Sequence, residues 1–112
     1  MSEWDKATSS GRPPENPTGV APAPIDPSSG QHKDHWVLPE EERAKGFIRP
    51  VRLSYRHETC GQITSMPQSI AETYARKPSY YGSTFCATCK TYEAVGARGA
   101  FIWLDDGVKV GL

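Results

Sequence analysis

His57-Glu58-Thr59-Cys60-Gly61 and Cys86-Ala87-Thr88-Cys89-Lys90 are the two stretches whose reading decides the fold. The first is an H-x2-C-G element and the second a C-x2-C element, with residues 61–85 between them. Two residues between ligands let one tight backbone turn aim both side chains at a single ion. Gly61 follows the first pair, where such a turn asks for positive φ at no steric cost. Two pairs supply four donors, the closed tetrahedral set of a structural metal site. Thiolate and imidazole donors select zinc over magnesium or calcium. The expected ligands are therefore His57, Cys60, Cys86 and Cys89, with zinc as the cofactor. Three other readings of these residues stay open. Cys86 and Cys89 could form a redox disulfide, although no βαβ pattern surrounds them. His57 could be a core histidine, with His32 or His35 as the fourth ligand. The thiols could also be inert.

Working outward, the residues before the first pair alternate. Residues 47–57 read as a strand, with Val51, Leu53, Tyr55 and His57 on the buried face and Arg52, Ser54 and Arg56 on the wet one. Upstream, Trp36-Val37-Leu38 is an apolar anchor. Pro39 suits the start of a short helix carrying Glu40, Glu41 and Glu42 near its positive end, with Gly46 as the stop. Between the pairs, Ser65-Met66-Pro67-Gln68 reads as a capping box. Met66, Ile70 and Tyr74 form a helical apolar stripe, Glu72 and Arg76 form an i, i+4 pair, and Pro78 ends the helix near Arg76. Beyond the second pair, residues 90–95 read as a return strand and residues 100–104 as another. Asp105-Asp106-Gly107 is the turn before Val108-Lys109-Val110. The expected class is a small α+β, zinc-ribbon-like domain: short antiparallel strands plus one helix between two metal knuckles.

Composition sharpens the division of the chain. Of 112 residues, 37% are hydrophobic, against roughly 45–50% in an average soluble protein, so the core is expected to be thin and dependent on metal. Six of the ten prolines fall within residues 13–27. Such a run builds neither a helix nor a central strand. Residues 1–34 are expected to form a flexible Pro-rich arm, and residues 35–112 the zinc-binding domain. The net charge is zero, but residues 1–42 carry eight acids and three bases, a balance of −5, while residues 43–112 carry ten bases and five acids, a balance of +5. Lys45, Arg49, Arg52, Arg56, Arg76, Lys77 and Lys90 form a nucleic-acid-binding face in one reading, with Tyr80, Tyr81 and Phe85 available to stack on bases. The acidic arm could then fold back over that face. In the other reading these cations are a solvated strand face, and the arm and the apolar anchor serve a protein partner.

No apolar run is long enough for a bilayer, the start of the chain has no signal-like apolar region, and the cysteine count is odd. These features lead to the expectation of a chain without a membrane partner, in a reducing compartment. Catalysis is not expected. The deaminase pattern H-x-E…P-C-x-x-C fails, because Thr59 stands where the Glu is required and Phe85 where the Pro is. All three histidines lie at or before position 57, which leaves no base for a nuclease. No catalytic residue and no small-molecule substrate are expected.

The runs Ala71-Glu72-Thr73-Tyr74-Ala75-Arg76-Lys77-Pro78 and Tyr81-Gly82-Ser83-Thr84-Phe85-Cys86-Ala87-Thr88-Cys89 resemble those of small zinc-ribbon-like proteins of tailed bacteriophages and prophages. So do Trp36-Val37-Leu38-Pro39-Glu40-Glu41-Glu42-Arg43-Ala44-Lys45-Gly46-Phe47, Arg49-Pro50-Val51-Arg52, Phe101-Ile102-Trp103 and Val110-Gly111-Leu112. The likeness covers about residues 36–112. It implies zinc ligands at Cys60, Cys86 and Cys89. It also implies a phage protein acting inside a bacterium, so the expected place of action is the host bacterial cytoplasm or the virion; the arm, the apolar anchor and the small zinc core make a host or phage protein the expected partner. The likeness implies no assigned activity.

Overall fold

The computed structural model describes residues 7–17, 19 and 21–112. It is an α+β structure of short antiparallel strands and two helices. The elements run β1 (Ala7–Thr8), β2 (Trp36–Val37), α1 (Glu40–Arg43), β3 (Ser54–His57), β4 (Ile63–Ser65), α2 (Gln68–Arg76), β5 (Ser83–Cys86), β6 (Thr91–Ala94) and β7 (Phe101–Trp103). Among the described residues no helix is long and apolar enough to cross a membrane.

Three small sheets carry the fold. β3 is the centre of the order β4-β3-β7, β5 pairs with β6, and β1 pairs with β2, all antiparallel. The alternation read from the sequence holds within β3, where Tyr55 and His57 are buried and Arg56 is exposed. It fails just before the strand begins. Arg52 is buried and Leu53 is exposed, the reverse of the expected faces. The Arg52 guanidinium reaches the Asp106 carboxylate at 2.8 Å and lies 4.9 Å from the centre of the Trp103 ring. A planar, weakly hydrated cation with a carboxylate partner and an aromatic face beneath it tolerates burial that a bare charge would not.

α1 starts after Pro39, as expected, and α2 stops at Arg76 before Pro78. The capping box does not form. Pro67 is the N-cap and offers no side-chain bond, while Ser65 belongs to β4, its hydroxyl 2.8 Å from that of Ser54. Glu72 bonds Arg43 at 2.7 Å instead of Arg76, whose guanidinium donates to the Gly46 carbonyl. The stripe of Met66, Ile70 and Tyr74 is buried as expected, and joins Val37, Tyr55, Ala71, Cys86, Phe101, Trp103 and Val110 in one core.

The expected arm begins outside the described residues, which exclude 1–6, 18 and 20. From Ala7 onward the described part lies against the domain. Ala7 and Thr8 pair with Val37 and Trp36, Ile25 bridges His32, and Ala21, Pro22 and Ala23 are buried. Prolines limit the entropy lost on this ordering, and polar latches fix it. Asp34 is buried and accepts bonds from the Ser9 and Ser10 hydroxyls and from the N–H groups of Ser10 and His35. Gly30 sits so close to the Lys90 carbonyl that a Cβ there would lie 2.9 Å away. Among the described residues no ion pair joins an acidic side chain of this segment to the seven cations named above.

These latches respond to acid. Burial opposes the Asp34 carboxylate, but its hydrogen bonds outweigh that and hold its pKa below the ordinary value. Its contribution is therefore fully present above about pH 4 and is lost as pH falls through the lower folded value. Burial, then the charge of His32, depress the pKa of His35, against the pull of Asp34. Neutral His35 thus contributes fully above about pH 6.5, and its contribution shrinks below that. Asp34→Asn at pH 7 is expected to speed amide exchange at Ser10 and His35 about tenfold, the loss of one charge-assisted hydrogen bond. Unchanged exchange would show that the latch contributes nothing.

Candidate metal centre

Each ligand is delivered by a strand end and a turn. β3 ends at His57 with its ring facing inward, stacked on Phe101 at 4.6 Å between ring centres and 22° between planes. The chain then turns through residues 58–60, and the Gly61 N–H returns to the His57 carbonyl at 2.7 Å with φ +75°. β5 ends at Cys86, which is buried in the core. The same turn follows: the Lys90 N–H returns to the Cys86 carbonyl at 2.7 Å with φ +58°. The Cys89 N–H lies 3.4 Å from the Cys86 sulfur, a bond that suits a thiolate. The two knuckles share one backbone geometry, with Gly61 and Lys90 in equivalent left-handed positions. Lysine is strained there by about 1 kcal/mol. Lys90→Gly is expected to raise the stability of the metal-loaded chain by about that amount, read as a higher urea midpoint; a lower midpoint would contradict the shared turn geometry.

The knuckles bring four donor atoms within 4.8 Å of one another, one each from His57, Cys60, Cys86 and Cys89. The Cys60 and Cys86 sulfurs are 3.6 Å apart, and the Cys89 sulfur is 3.6 Å from His57 Nδ1. A zinc tetrahedron with Zn–S of about 2.3 Å and Zn–N of about 2.0 Å has edges of roughly 3.8 Å between sulfurs and 3.5 Å from sulfur to nitrogen. The donor spacing therefore has the size of such a shell. It is far from the roughly 2.05 Å of a disulfide, and all three cysteines are free thiols. The alternative of a Cys86–Cys89 disulfide is not formed.

The electrostatics favour a cation. Burial opposes the Cys86 thiolate, but the Cys89 N–H and the Cys60 thiol outweigh it and bring its pKa to about 7. The resulting charge, chiefly through the hydrogen bond from Cys89 to Cys86, pushes the Cys89 thiol up to about 12. Three thiolates at this spacing need a positive charge among them. On the far side of the imidazole, His57 Nε2 is buried without a hydrogen-bond partner. The nearest carboxylate oxygen is Glu93 Oε1 on β6, 3.4 Å away. That separation suits electrostatic orientation of the ring, although not a well-formed hydrogen bond. With Nδ1 facing the thiols and Nε2 facing Glu93, the proton belongs on Nε2.

The two sheets are tied together beside the cluster. The Tyr55 hydroxyl donates to the Phe85 carbonyl and accepts from Thr84, and burial pushes its pKa up to about 12. The two alternative candidates for the fourth ligand lie elsewhere. His32 and His35 gather at Tyr92, His32 Nδ1 being 2.8 Å from the Ala23 carbonyl and His35 Nε2 2.8 Å from the Tyr92 hydroxyl. They hold the N-terminal segment, not the cluster.

Four of the seven basic side chains are engaged within the chain. Lys45 pairs with Glu42, Arg49 donates to the Ile48 and Leu112 carbonyls, Arg52 is buried on Asp106, and Arg76 is tied to Gly46. Arg56, Lys77 and Lys90 are exposed. Arg56 adjoins His57, and Lys90 adjoins Cys89. Sequence reasoning missed β4, whose Thr64 hydroxyl accepts the Ala87 N–H and supports the second knuckle. It also missed Glu93, for which nothing in the sequence points to His57.

The fold and the cluster define a small α+β domain with a histidine-and-three-cysteine group able to hold a metal ion. Comparison with protein-family models, with curated proteins and with solved structures finds no match.

Proposed function

We propose that this chain is a non-enzymatic, zinc-ribbon-like protein that acts by binding another protein. Four protein donors complete a tetrahedral zinc shell and leave no position for a substrate, so the metal serves the fold. The observation that carries the choice of partner is the engagement of the cations: four of the seven are held by groups of the chain itself, and phosphate binding calls for cations free to meet it. Apolar side chains are open instead. Phe47, Ile48 and Leu112 are exposed, and Arg49 ties the Ile48 carbonyl to that of Leu112. The resemblance to small phage proteins directs the search to a bacterial host, with a host or virion protein as partner.

The alternative is a nucleic-acid-binding zinc ribbon, favoured by the exposed Arg56 and Lys90 beside the two knuckles. Affinity capture from an expressing bacterium with nuclease treatment separates the two readings, together with an electrophoretic shift across a salt series. Protein binding predicts a partner retained after nuclease and no shift at low salt. A shift that weakens steeply with salt, and a partner lost on digestion, would overturn it.

A further inference from the structure

The central sheet has two unlike faces. Its inner face carries Tyr55, His57, Phe101 and Trp103, all buried. Its outer face is set by the strand register. Residues directly opposite in an antiparallel pair share a face, so Ile63 on β4, Arg56 on β3 and Ile102 on β7 form one outward row. In the next row Ser54 stands opposite Ser65, and the Leu104 N–H donates to the Ser54 carbonyl at 3.1 Å. An antiparallel sheet with one face in a core usually presents polar side chains on the other. Here Ile63 and Leu104 are 55% and 41% exposed, with Ile102 half-buried beside them. Arg56 stands between the two isoleucines, fully in the open. Among the described residues it makes no ion pair and its side chain no hydrogen bond.

The neighbouring charges already have partners. Lys109, which bridges to Ile102, donates to the Gly99 carbonyl at 2.6 Å and lies 3.8 Å from the Glu58 carboxylate. The row therefore reads apolar, positive, apolar, and its one charge is unanswered. Its complement is a carboxylate between two aliphatic side chains. Such a group meets the guanidinium while the isoleucines are covered, and the drier setting strengthens the pair. Spacing adds a constraint. Three strands about 4.8 Å apart set the row across about 10 Å. In an α-helix, positions i, i+4 and i+7 lie on one face and span about 10.5 Å. Leucine, glutamate and leucine at those positions match Ile63, Arg56 and Ile102. Two other occupants fit less well. A second copy stacked row on row about a two-fold axis sets Arg56 against its own counterpart. A nucleic-acid strand needs several cations along its phosphates, and aliphatic side chains give its bases no stacking platform.

We infer that the outer face of the β4-β3-β7 sheet docks an amphipathic helix of a partner protein, one that sets an acidic residue between two aliphatic ones. The inference rests on the protein-binding reading above and gives that partner its chemistry.

The test titrates the zinc-loaded full chain with the helical peptide acetyl-Ala-Gln-Ala-Ala-Leu-Gln-Ala-Ala-Glu-Ala-Gln-Leu-Ala-Ala-Gln-Ala-amide, followed by amide and methyl NMR shifts. Saturable shifts are expected at Arg56, Ile63, Ile102 and Leu104. Replacing the peptide's glutamate by lysine is expected to weaken binding about threefold to fivefold, and replacing both leucines by alanine to remove it. Arg56→Glu is expected to reverse the preference between the glutamate and lysine peptides, a readout that misfolding cannot produce. Absence of saturable shifts, an equal response to the lysine or the leucine-free peptide, or an unchanged preference in the variant would each overturn the inference. So would shifts confined to other surfaces, shifts at these residues on diluting the chain alone, which mark a second copy, or a face that responds to oligothymidylate instead. If the peptide fails while nuclease-resistant protein capture persists, only the assignment of this face falls. If capture depends on nucleic acid, the protein-binding reading falls with it.

Discussion

Adding a strong chelator to the folded protein is expected to abolish its cooperative thermal transition and its near-ultraviolet circular dichroism. The reason is one of scale. A domain of this size has a net stability of about 5–15 kcal/mol, and a structural zinc contributes an apparent 10–16 kcal/mol or so to folding. Cys86 belongs to the core, and His57 is stacked on Phe101. Four donors that lose their ion become three crowded thiols and a buried imidazole against those same aromatic side chains. Adding zinc back should restore both signals, since no covalent bond is lost. A melting transition unchanged by chelation would mean that the apolar core holds the fold alone.

Trp103→Ala is expected to destabilise the metal-loaded protein by about 3–5 kcal/mol, the usual cost of truncating a large buried aromatic side chain. Trp103 is fully buried on β7. Its ring meets Tyr55 edge-on at 6.2 Å and Tyr74 edge-on at 5.4 Å, and Arg52 lies over it. It thus joins the central sheet, α2 and a buried cation. The substitution leaves a cavity and also strips the Arg52–Asp106 pair of its apolar support. Urea denaturation of the zinc-loaded variant measures the loss. A change below about 1 kcal/mol would show that the core relaxes around the cavity.

What the sequence made legible was local. The two x2 spacings produced two turns with the same hydrogen bond and the same left-handed residue, because each is built from consecutive residues. The stripe of Met66, Ile70 and Tyr74 was readable for the same reason. What stayed hidden depends on partners far along the chain. Arg52 looked like a solvated cation because its partner Asp106 lies 54 residues away. Glu72 turned from its helical neighbour Arg76 to Arg43, 29 residues distant. Ser65 looked like a helix cap, but pairing with Ser54 draws it into β4, a strand of three residues with one apolar side chain. The Pro-rich segment read as a free arm because composition records entropy and apolar content. It does not show that Ser9, Ser10 and Asp34 form a latch.

The central claim is that His57, Cys60, Cys86 and Cys89 together grip one zinc ion. Elemental analysis of tag-free protein, combined with X-ray absorption at the zinc edge, tests it most directly. The predicted result is one zinc per chain, coordinated by three sulfurs at about 2.3 Å and one nitrogen at about 2.0 Å. Folded protein that carries no metal, or a shell of oxygen and nitrogen without sulfur, would contradict it.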